Sequence, residues 1–501
     1  MLMRRALISV FNKEGVIELV QSLSVLGWEI ISTGGTYKLL AEAGIKNLKA
    51  VAKVSGFPEI LDGRVKTLNP QIHGGILADR SQASHLEDLK NQAIEPIDLV
   101  AVNLYPFKET VSRLGVSEAE AIANIDIGGV AMIRAAAKNY QHVYVVVDPV
   151  DYQEVAGRLD QNELDFKRKL AAKAFAYTKD YDQAVAGYFA GATELFLNFK
   201  KVRELRYGEN PHQRACLYQD SGQGIVGAEV LHGKELSYNN LVDGDSAFNL
   251  IREFGWPAAA VLKHTNPCGC AVAENIDQAF AKAYGADALS AFGGVIVLNR
   301  GCTVAIAEAI NQVFAEMVIA PAYEVQALDI LRQKKNIRIL RVNLTLPLLE
   351  SKDYKKIVGG ILQQDFDRQV ITAHDLKAVT EILPTKNQLQ DLLFGWSVVR
   401  HVKSNAVVLA KDGLTVGIGA GQMSRVDAVE IALRKAGVQA EGAVAASDAF
   451  FPFRDSLDKL AQNGVKSVIQ PGGSLRDAEV IQACSEHKMS MVFTGFRAFR
   501  H

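Results

Sequence analysis

Across residues 1–150, short continuous apolar runs alternate with segments whose apolar positions recur at helical spacing, and this rhythm restricts the fold more than any other feature. Ala6–Val10, Trp28–Ile31, Leu99–Val102 and Val143–Val147 read as buried strands. Val16–Leu26 and Tyr37–Ala43 read as helices, with Gly27 and Gly44 as their C-terminal stops. Strands separated by helices pair through crossovers, so the pattern predicts a parallel sheet covered by helices, with sites at the carboxyl ends of the strands. A long helical stretch is expected from Asn162 to about Phe196, and the polar, basic run Asn198–Glu204 marks the boundary between domains over 1–198 and 199–501. The second part alternates again, with strands at Ala258–Leu262, Val295–Leu298, Val407–Leu409, Val444–Ala446 and Val468–Ile469. Helices such as Val304–Glu316 and Ser474–Glu486 lie between them. Ala288–Gly293 faintly echoes Ser447–Pro452, which hints at an internal duplication.

Charge and cysteine usage narrow the function. With 55 basic and 56 acidic residues the formal net charge is -1, which argues against a broad basic face for nucleic acid or anionic membrane but leaves local pockets for a small anion. No run approaches the roughly 18 apolar residues of a membrane span, and the N-terminal apolar run is too short for a signal sequence. Five scattered cysteines, an odd number, argue against a disulfide framework, so a reduced, cytoplasmic compartment is expected.

In the first part, three clusters fall at predicted strand-to-helix junctions. Ser32-Thr33-Gly34-Gly35-Thr36 offers hydroxyls and backbone N–H groups at a helix start, which suits a phosphate or simply a tight turn. Gly63-Arg64-Val65-Lys66-Thr67 places two cations on one side of an extended segment, either around an anion or on a solvated face. Tyr105 follows a strand in Asn103–Phe107, and Asp126-Ile127-Gly128-Gly129 opens a helix carrying Arg134 and Lys138. Tyr105 reads as a proton donor or core packing, and Asp126 as a proton acceptor or an N-cap.

In the second part, Leu205–Gln213 is too dense in donors for an ordinary linker. A strand delivers Lys263 and His264 into a turn through Gly269, an acid–base pair or a structural one. Zinc is rejected: His264 is followed by Asn266 where a deaminase has Glu, and Pro267-Cys268-Gly269-Cys270 is one residue short of P-C-x-x-C. Gly417–Arg425 lacks the dinucleotide spacing and reads better as a turn for an anion or carbonyl. Ser447–Asp455 sets three aromatics in a loop, a clamp for a flat heterocycle or a hydrophobic anchor.

Ser9-Val10, Lys13-Glu14-Gly15, Ser32–Thr36, Gly63–Leu68, Asn103–Phe107 and Ile125–Gly129 closely resemble the cyclohydrolase domain of the bifunctional purine biosynthesis family. Leu205–Gln213, Lys263–Gly269, Ser290–Gly294, Gly417–Arg425, Ser447–Asp455 and the ending Arg497–His501 resemble its formyltransferase domain, so the resemblance covers essentially the whole chain. It implies an α/β protein: an N-terminal methylglyoxal synthase-like parallel-sheet domain, then a formyltransferase domain of two cytidine-deaminase-like subdomains without zinc. It implies formyl transfer from 10-formyltetrahydrofolate, a reduced folate co-substrate, to the 5-amine of aminoimidazole-carboxamide ribotide (AICAR). The formylated product, FAICAR, is then closed to inosine monophosphate with loss of water.

By the same resemblance, Ser9, Lys13, Ser32, Thr33, Gly34, Gly35 and Thr36 hold the nucleotide phosphate, with Arg64 and Thr67 nearby and Asn103 and Gly128 in the same site. Lys66, Tyr105, Asp126 and Lys138 assist ring closure. His264 acts as base, Lys263 helps protonate the departing folate nitrogen, and Asn405, expected to begin a strand, orients the carboxamide and formyl group. Arg206, Tyr207, Arg425 and Arg497 contact nucleotide, Phe292, Phe450 and Asp455 border the folate or substrate pocket, and Asn240 and Gly293 complete the binding set. One departure stands out: many relatives carry Ser-Val-Ser-Asp-Lys where this chain has Ser9-Val10-Phe11-Asn12-Lys13, which removes a phosphate hydroxyl at position 11. The resemblance further implies a homodimer in which Arg206 and Tyr207 serve the partner's site, no metal in catalysis, and room for a structural monovalent cation. A non-catalytic nucleotide sensor is the competing class. It has no need for Lys66, Tyr105, Asp126, Lys263, His264 and Asn405 together, so the enzyme is favoured.

Overall fold

Aliphatic and β-branched runs become the strands of the first sheet: β1 (Arg5–Val10), β2 (Glu29–Ser32), β3 (Leu48–Ala50), β4 (Leu99–Asn103) and β5 (Tyr144–Val146). They pair in parallel throughout, in the order β3-β2-β1-β4-β5. Residues of β2, β4 and β5 are buried along their whole length, which is why those stretches read as continuous apolar runs instead of alternating ones. The chain winds from β1 outward to β3, then returns to place β4 on the other side of β1. The crevice between β1 and β4 is therefore the switch point of the sheet, where open α/β sheets bind ligands.

This computed structural model describes residues 3–159, 161, 163–345, 347 and 352–501. Two compact units divide the chain, Met1–Leu197 and Asn198–His501. Asn162, the expected start of the long helix, lies outside the described residues. The helix spans Leu164–Ala190 and buries Phe166, Leu170, Ala171 and Ala174 in the first core. It stops short of Phe196 at Gly191, where φ is 63° and the chain leaves the helix in a 3-10 turn.

The second unit begins with an antiparallel pair, β6 (Lys200–Leu205) and β7 (Ala215–Gln219). There follow β8 (Glu229–His232), β9 (Ala258–Lys263), β10 (Asn266–Val272), β11 (Val295–Leu298), β12 (Met317–Ala320) and β13 (Arg338–Arg341). A second separate hairpin, β14 (Lys352–Ile357) and β15 (Gly360–Asp365), leads to β16 (Lys377–Ala378), β17 (Val407–Lys411), β18 (Leu414–Gly419), β19 (Val444–Ser447), β20 (Ser467–Gln470) and β21 (Ser490–Phe493). Twelve of these strands form one mixed sheet, ordered β16-β21-β20-β19-β17-β18-β10-β9-β11-β12-β13-β8.

That order is a duplication. Each half runs strand, helix, two-residue hairpin, helix, strand, helix, strand, helix, strand, and the halves join antiparallel where Ala271 of β10 faces Leu414 of β18. The duplication is real, but the echo seen in the sequence pairs unlike places: Ala288–Ala291 is a short helix before β11, whereas Ser447 ends β19. The topological counterpart of Asp448 is Asn299. Asn299 Oδ1 accepts the Ala258 N–H at 2.7 Å, and Asp448 Oδ1 accepts the Ala406 N–H at 3.2 Å.

Three local expectations change. The segment around Arg64 and Lys66 is a turn, with Leu61, Asp62 and Gly63 all left-handed and Ile60 bridged to Val65, so it is not an extended run. β10 was hidden in the sequence by Pro267 and Gly269, two poor strand residues that the register shift between them accommodates. Asn405 lies two residues ahead of β17 instead of opening it.

Candidate active site

At the β1–β4 switch point, three loops are tied together through their own side chains. Asn103, at the end of β4, accepts the N–H groups of Phe11 (2.6 Å) and Asn12 (2.8 Å) and donates to the Asn12 carbonyl (3.0 Å). Thr36 donates to the Val10 carbonyl at 3.0 Å, Ser32 donates to the Ile8 carbonyl at 2.7 Å, and the hydroxyls of Ser9 and Thr33 lie 3.0 Å apart. The helix Gly34–Glu42 starts here, and its first turn is flanked by two cations. A Cβ added at Gly34 would lie 3.7 Å from Lys66 Nζ, and one at Gly35 would lie 4.0 Å from Lys13 Cε. Lys13 Nζ donates to the Val10 carbonyl at 2.8 Å, and burial lowers its pKa. Free N–H groups at a helix start with two ammonium groups beside them form an anion cradle.

The proton-transfer candidates gather beside that cradle. Asp126 accepts the Gly129 N–H at 2.7 Å; burial raises its pKa, against the lowering effects of that bond, the Lys66 charge and a Tyr105 backbone bond. Thr67 reaches the same place: a Cβ at Gly128 would lie 2.8 Å from Thr67 Oγ1, and one at Gly129 2.6 Å from Asp126 Oδ2, so both positions need glycine. Tyr105 is partly exposed and meets the Phe11 ring edge-on at 5.7 Å. Two residues that the sequence reading missed hold this set from behind. Tyr177 accepts the Leu104 N–H at 3.0 Å, and Tyr181 accepts the Asp126 N–H at 2.7 Å. Their i, i+4 spacing on one helix was the available signal.

Lys138 is not with them. It ends the helix Gly128–Lys138, about 15 Å from that helix's start at 1.5 Å per residue. There it lines a separate cleft of about 740 Å³ with His73, Arg134, Tyr140, Arg168 and Phe175. Arg64 is exposed on its turn.

In the second unit, β9 delivers Lys263 to a turn whose two residues, His264 (φ 52°) and Thr265 (φ 64°), are both left-handed. Lys263 Nζ donates to the Phe292 carbonyl at 3.0 Å. Asn266, unassigned by the sequence reading, joins this turn to the other half of the duplication. It donates to the His264 carbonyl at 3.0 Å and accepts the Lys403 N–H at 2.9 Å. Two residues on, Asn405 donates to the Gln422 carbonyl (2.8 Å) and accepts from Arg425 (2.9 Å). Arg425 is buried, donates to the Ala406 carbonyl at 2.8 Å and pairs with the fully buried Asp448, which also accepts from Ser404 at 2.6 Å. Arg425 thus engages Asn405 and Asp448 within the fold. A cleft of about 400 Å³ opens in front, lined by Ser404, Asn405, Gly421, Gln422, Met423, Phe499 and His501.

The remaining candidates are placed variously. Phe292 is exposed beside Phe314 (5.4 Å), and Gly293 is left-handed with its N–H on the Phe314 carbonyl. Phe450 is partly exposed, but its neighbour Phe451 is fully buried, so that part of the loop is an anchor. Asp455 begins a helix and accepts the Ser456 N–H. Arg206 stacks over Tyr207 at 5.1 Å and Arg497 over Phe499 at 4.5 Å. Asn240 is buried in a capping box with Ser237. Gly417 and Gly419 lie in β18, where a Cβ would collide with the carbonyls of Ala432 and Ala428; close strand–helix packing explains these two glycines without an anion. Among the described residues no group of three or more His, Cys, Asp or Glu side chains is arranged to hold a metal ion, and no helix is long and apolar enough to cross a membrane.

A parallel-sheet unit with a cationic cradle at its switch point is followed by a duplicated mixed-sheet unit with a Lys–His pair at a left-handed turn, which gives an α/β protein with two candidate sites. Residues 15–131 match the model of the MGS-like domain, and residues 136–435 match that of the AICARFT/IMPCHase bienzyme. The bifunctional purine biosynthesis protein PurH of Oceanobacillus iheyensis is 48% identical over 509 residues, covering 99% of this chain and 100% of its own. That of Bacillus subtilis is 47% identical over 513 residues, covering 100% of both. Among solved structures, the crystal structure of ForH is 37% identical, covers 38% of this chain and 100% of its own, and has a TM-score of 0.35. The chain belongs to the family of AICARFT/IMPCHase bienzymes.

Proposed function

We propose that the two activities of this purine-biosynthesis enzyme divide between its units, formyl transfer over residues 199–501 and cyclisation over 1–198. The enzyme is an AICAR formyltransferase and IMP cyclohydrolase. In the transfer step the 5-amine of AICAR attacks the formyl carbon of 10-formyltetrahydrofolate. The amine proton passes to His264, the bond from the formyl carbon to N10 breaks, and Lys263 helps protonate the departing nitrogen. That amine is a poor nucleophile because its lone pair is delocalised into the ring, so alignment and paired proton transfer must compensate. Asn405 orients carboxamide and formyl group. Arg206, Tyr207, Asn240, Phe292, Gly293, Arg425, Phe450, Asp455 and Arg497 make up the binding set of this reading.

In the cyclisation step the carboxamide nitrogen of FAICAR attacks its formyl carbon and water leaves. The cradle of Ser9, Lys13 and Ser32–Thr36 takes the phosphate, with Arg64, Thr67, Asn103 and Gly128 around it. Lys66 stabilises the developing oxyanion, while Asp126 and Tyr105 move protons between nitrogen and oxygen. Lys138 belongs to this set by resemblance alone. The reading includes a cytoplasmic homodimer, with Arg206 and Tyr207 serving the partner's site, and a structural monovalent cation.

The observation that carries the proposal is the convergence of Lys66, Thr67, Asp126 and Gly128 beside the Lys13 cradle, with Lys263 and His264 held in the other unit. Tetrahydrofolate release with AICAR as substrate and inosinate formation from supplied FAICAR, followed separately, test it. His264→Ala is expected to lower the first by about 100- to 10,000-fold and Lys66→Ala the second by a similar factor, each sparing the other channel. Binding of both ligands with no turnover in either channel would instead favour the sensor.

A further inference from the structure

The duplication supplies its own control for the Lys263–His264 turn. In each half a helix precedes the hairpin, and the sixth residue of that helix is an aspartate: Asp243 in Tyr238–Ile251 and Asp391 in Lys386–Val399. Both carboxylates reach the same place. Asp391 accepts the N–H groups of Asp412 (2.9 Å) and Gly413 (2.8 Å), the two residues of the β17–β18 turn. Asp243 accepts the N–H of Thr265 at 2.8 Å, and the His264 N–H bonds it as well.

The backbones of the two turns match, with φ of 51° and 68° at Asp412 and Gly413 against 52° and 64° at His264 and Thr265. A two-residue hairpin turn with both φ positive favours Asp-Gly or Asn-Gly, and the β17–β18 turn has that pair. The β9–β10 turn carries an imidazole, which tolerates the left-handed region, and the β-branched Thr265, which is an outlier in it. Left-handed strain of this kind persists only where surrounding groups fix it, and here the Asp243 carboxylate meets the two N–H groups of the turn while Asn266 bonds the His264 carbonyl.

We propose that Asp243 is a positioning residue for formyl transfer, holding the His264-Thr265 turn left-handed so that Lys263 and His264 are presented together at the end of β9. Burial raises the Asp243 pKa, and the Thr265 and His264 N–H bonds and the nearby imidazole oppose that rise. Asp391 does the same mechanical work on a turn that has no reacting group. The proposal rests on the reading that His264 serves formyl transfer.

The test measures kcat and KM for tetrahydrofolate release in the full-length enzyme, with melting temperatures alongside. Asp243→Ala is expected to lower kcat about 100-fold with both KM values within about threefold, because the chemistry is misaligned while binding is kept. Asp391→Ala is expected to lower the melting temperature while leaving kcat within about twofold. Adding Thr265→Gly to Asp243→Ala is expected to recover about tenfold, since glycine holds a left-handed backbone without help. Asp243→Asn keeps a carbonyl acceptor and should fall between wild type and Asp243→Ala, which preserves the test if the alanine variant does not fold. An unchanged kcat in both Asp243 variants, with His264→Ala inactive, would overturn the proposal alone. Equal kcat losses in Asp243→Ala and Asp391→Ala would overturn it in favour of general support of the fold. Full transfer by His264→Ala would remove the reading beneath it.

Discussion

Phe11 puts a ring where the resemblance leads to a phosphate-binding hydroxyl, and its own N–H bonds to Asn103 while its ring edge meets Tyr105. The Phe11 N–H is thus used to tie its loop to Asn103, while the side chain packs on a neighbouring candidate. Asp126 shows how burial tunes such a site. Its raised pKa means that it keeps its proton to a higher pH than an ordinary aspartate, so a step needing the carboxylate is lost on acidification sooner than ordinary aspartate titration would dictate. The pH–rate profile of inosinate formation is expected to show an acid limb above the usual carboxylate range of about 4, and Asp126→Asn to be slow with that limb gone. A limb that survives in Asp126→Asn would assign it elsewhere. At this scale the sequence named Lys66, Tyr105, Asp126, Lys263 and His264 as candidates through the resemblance of the runs that carry them. What each side chain touches was not legible. Arg425 reads as a nucleotide contact in sequence and lies buried against Asn405 and Asp448 in the fold, since spacing does not say which way a side chain turns.

At the scale of elements, the strands read from the sequence lie within a residue or two of the observed limits, Val295–Leu298 without any change, although the equally apolar β12 was not read. Elements that break the apolar rule were not: β10 contains Pro267 and Gly269, and the helix expected to Glu316 ends at Asn311. Glycines in β18 misled for the same reason. Gly417 and Gly419 were read with a ligand turn, but the helix Arg425–Ala436 lies against them so closely that its carbonyls occupy the Cβ positions, and Gly269 stands in the same relation to Ala283 in the other half. Gly419→Ala should force the strand and helix apart and cost about 1–3 kcal/mol, read as a lower denaturation midpoint for the second unit with inosinate formation from FAICAR unchanged. No change in the midpoint would mean that the helix yields without loss.

For the whole molecule, the proposed homodimer makes a kinetic claim. The hairpin β14–β15 exposes Val358, Ile361 and Leu362, and an isolated two-stranded hairpin is marginal in water, which supports a partner for it. If Arg206 and Tyr207 complete the partner's formyltransferase site, diluting the enzyme should lower tetrahydrofolate release per chain while leaving inosinate formation from FAICAR constant. Equal specific activity in both channels down to concentrations where the chain is monomeric would remove the shared site. The sequence by itself determined the α/β class and, through the order of its motifs, the family, because apolar periodicity and turn chemistry are local properties of the chain. Only the tertiary structure decided that the second unit is one duplicated sheet, that Asp243 and Asn266 hold the Lys263–His264 turn, and that Lys138 ends a helix far from Asp126. Those facts depend on pairings between distant segments, and such pairings are settled when the strands choose their neighbours.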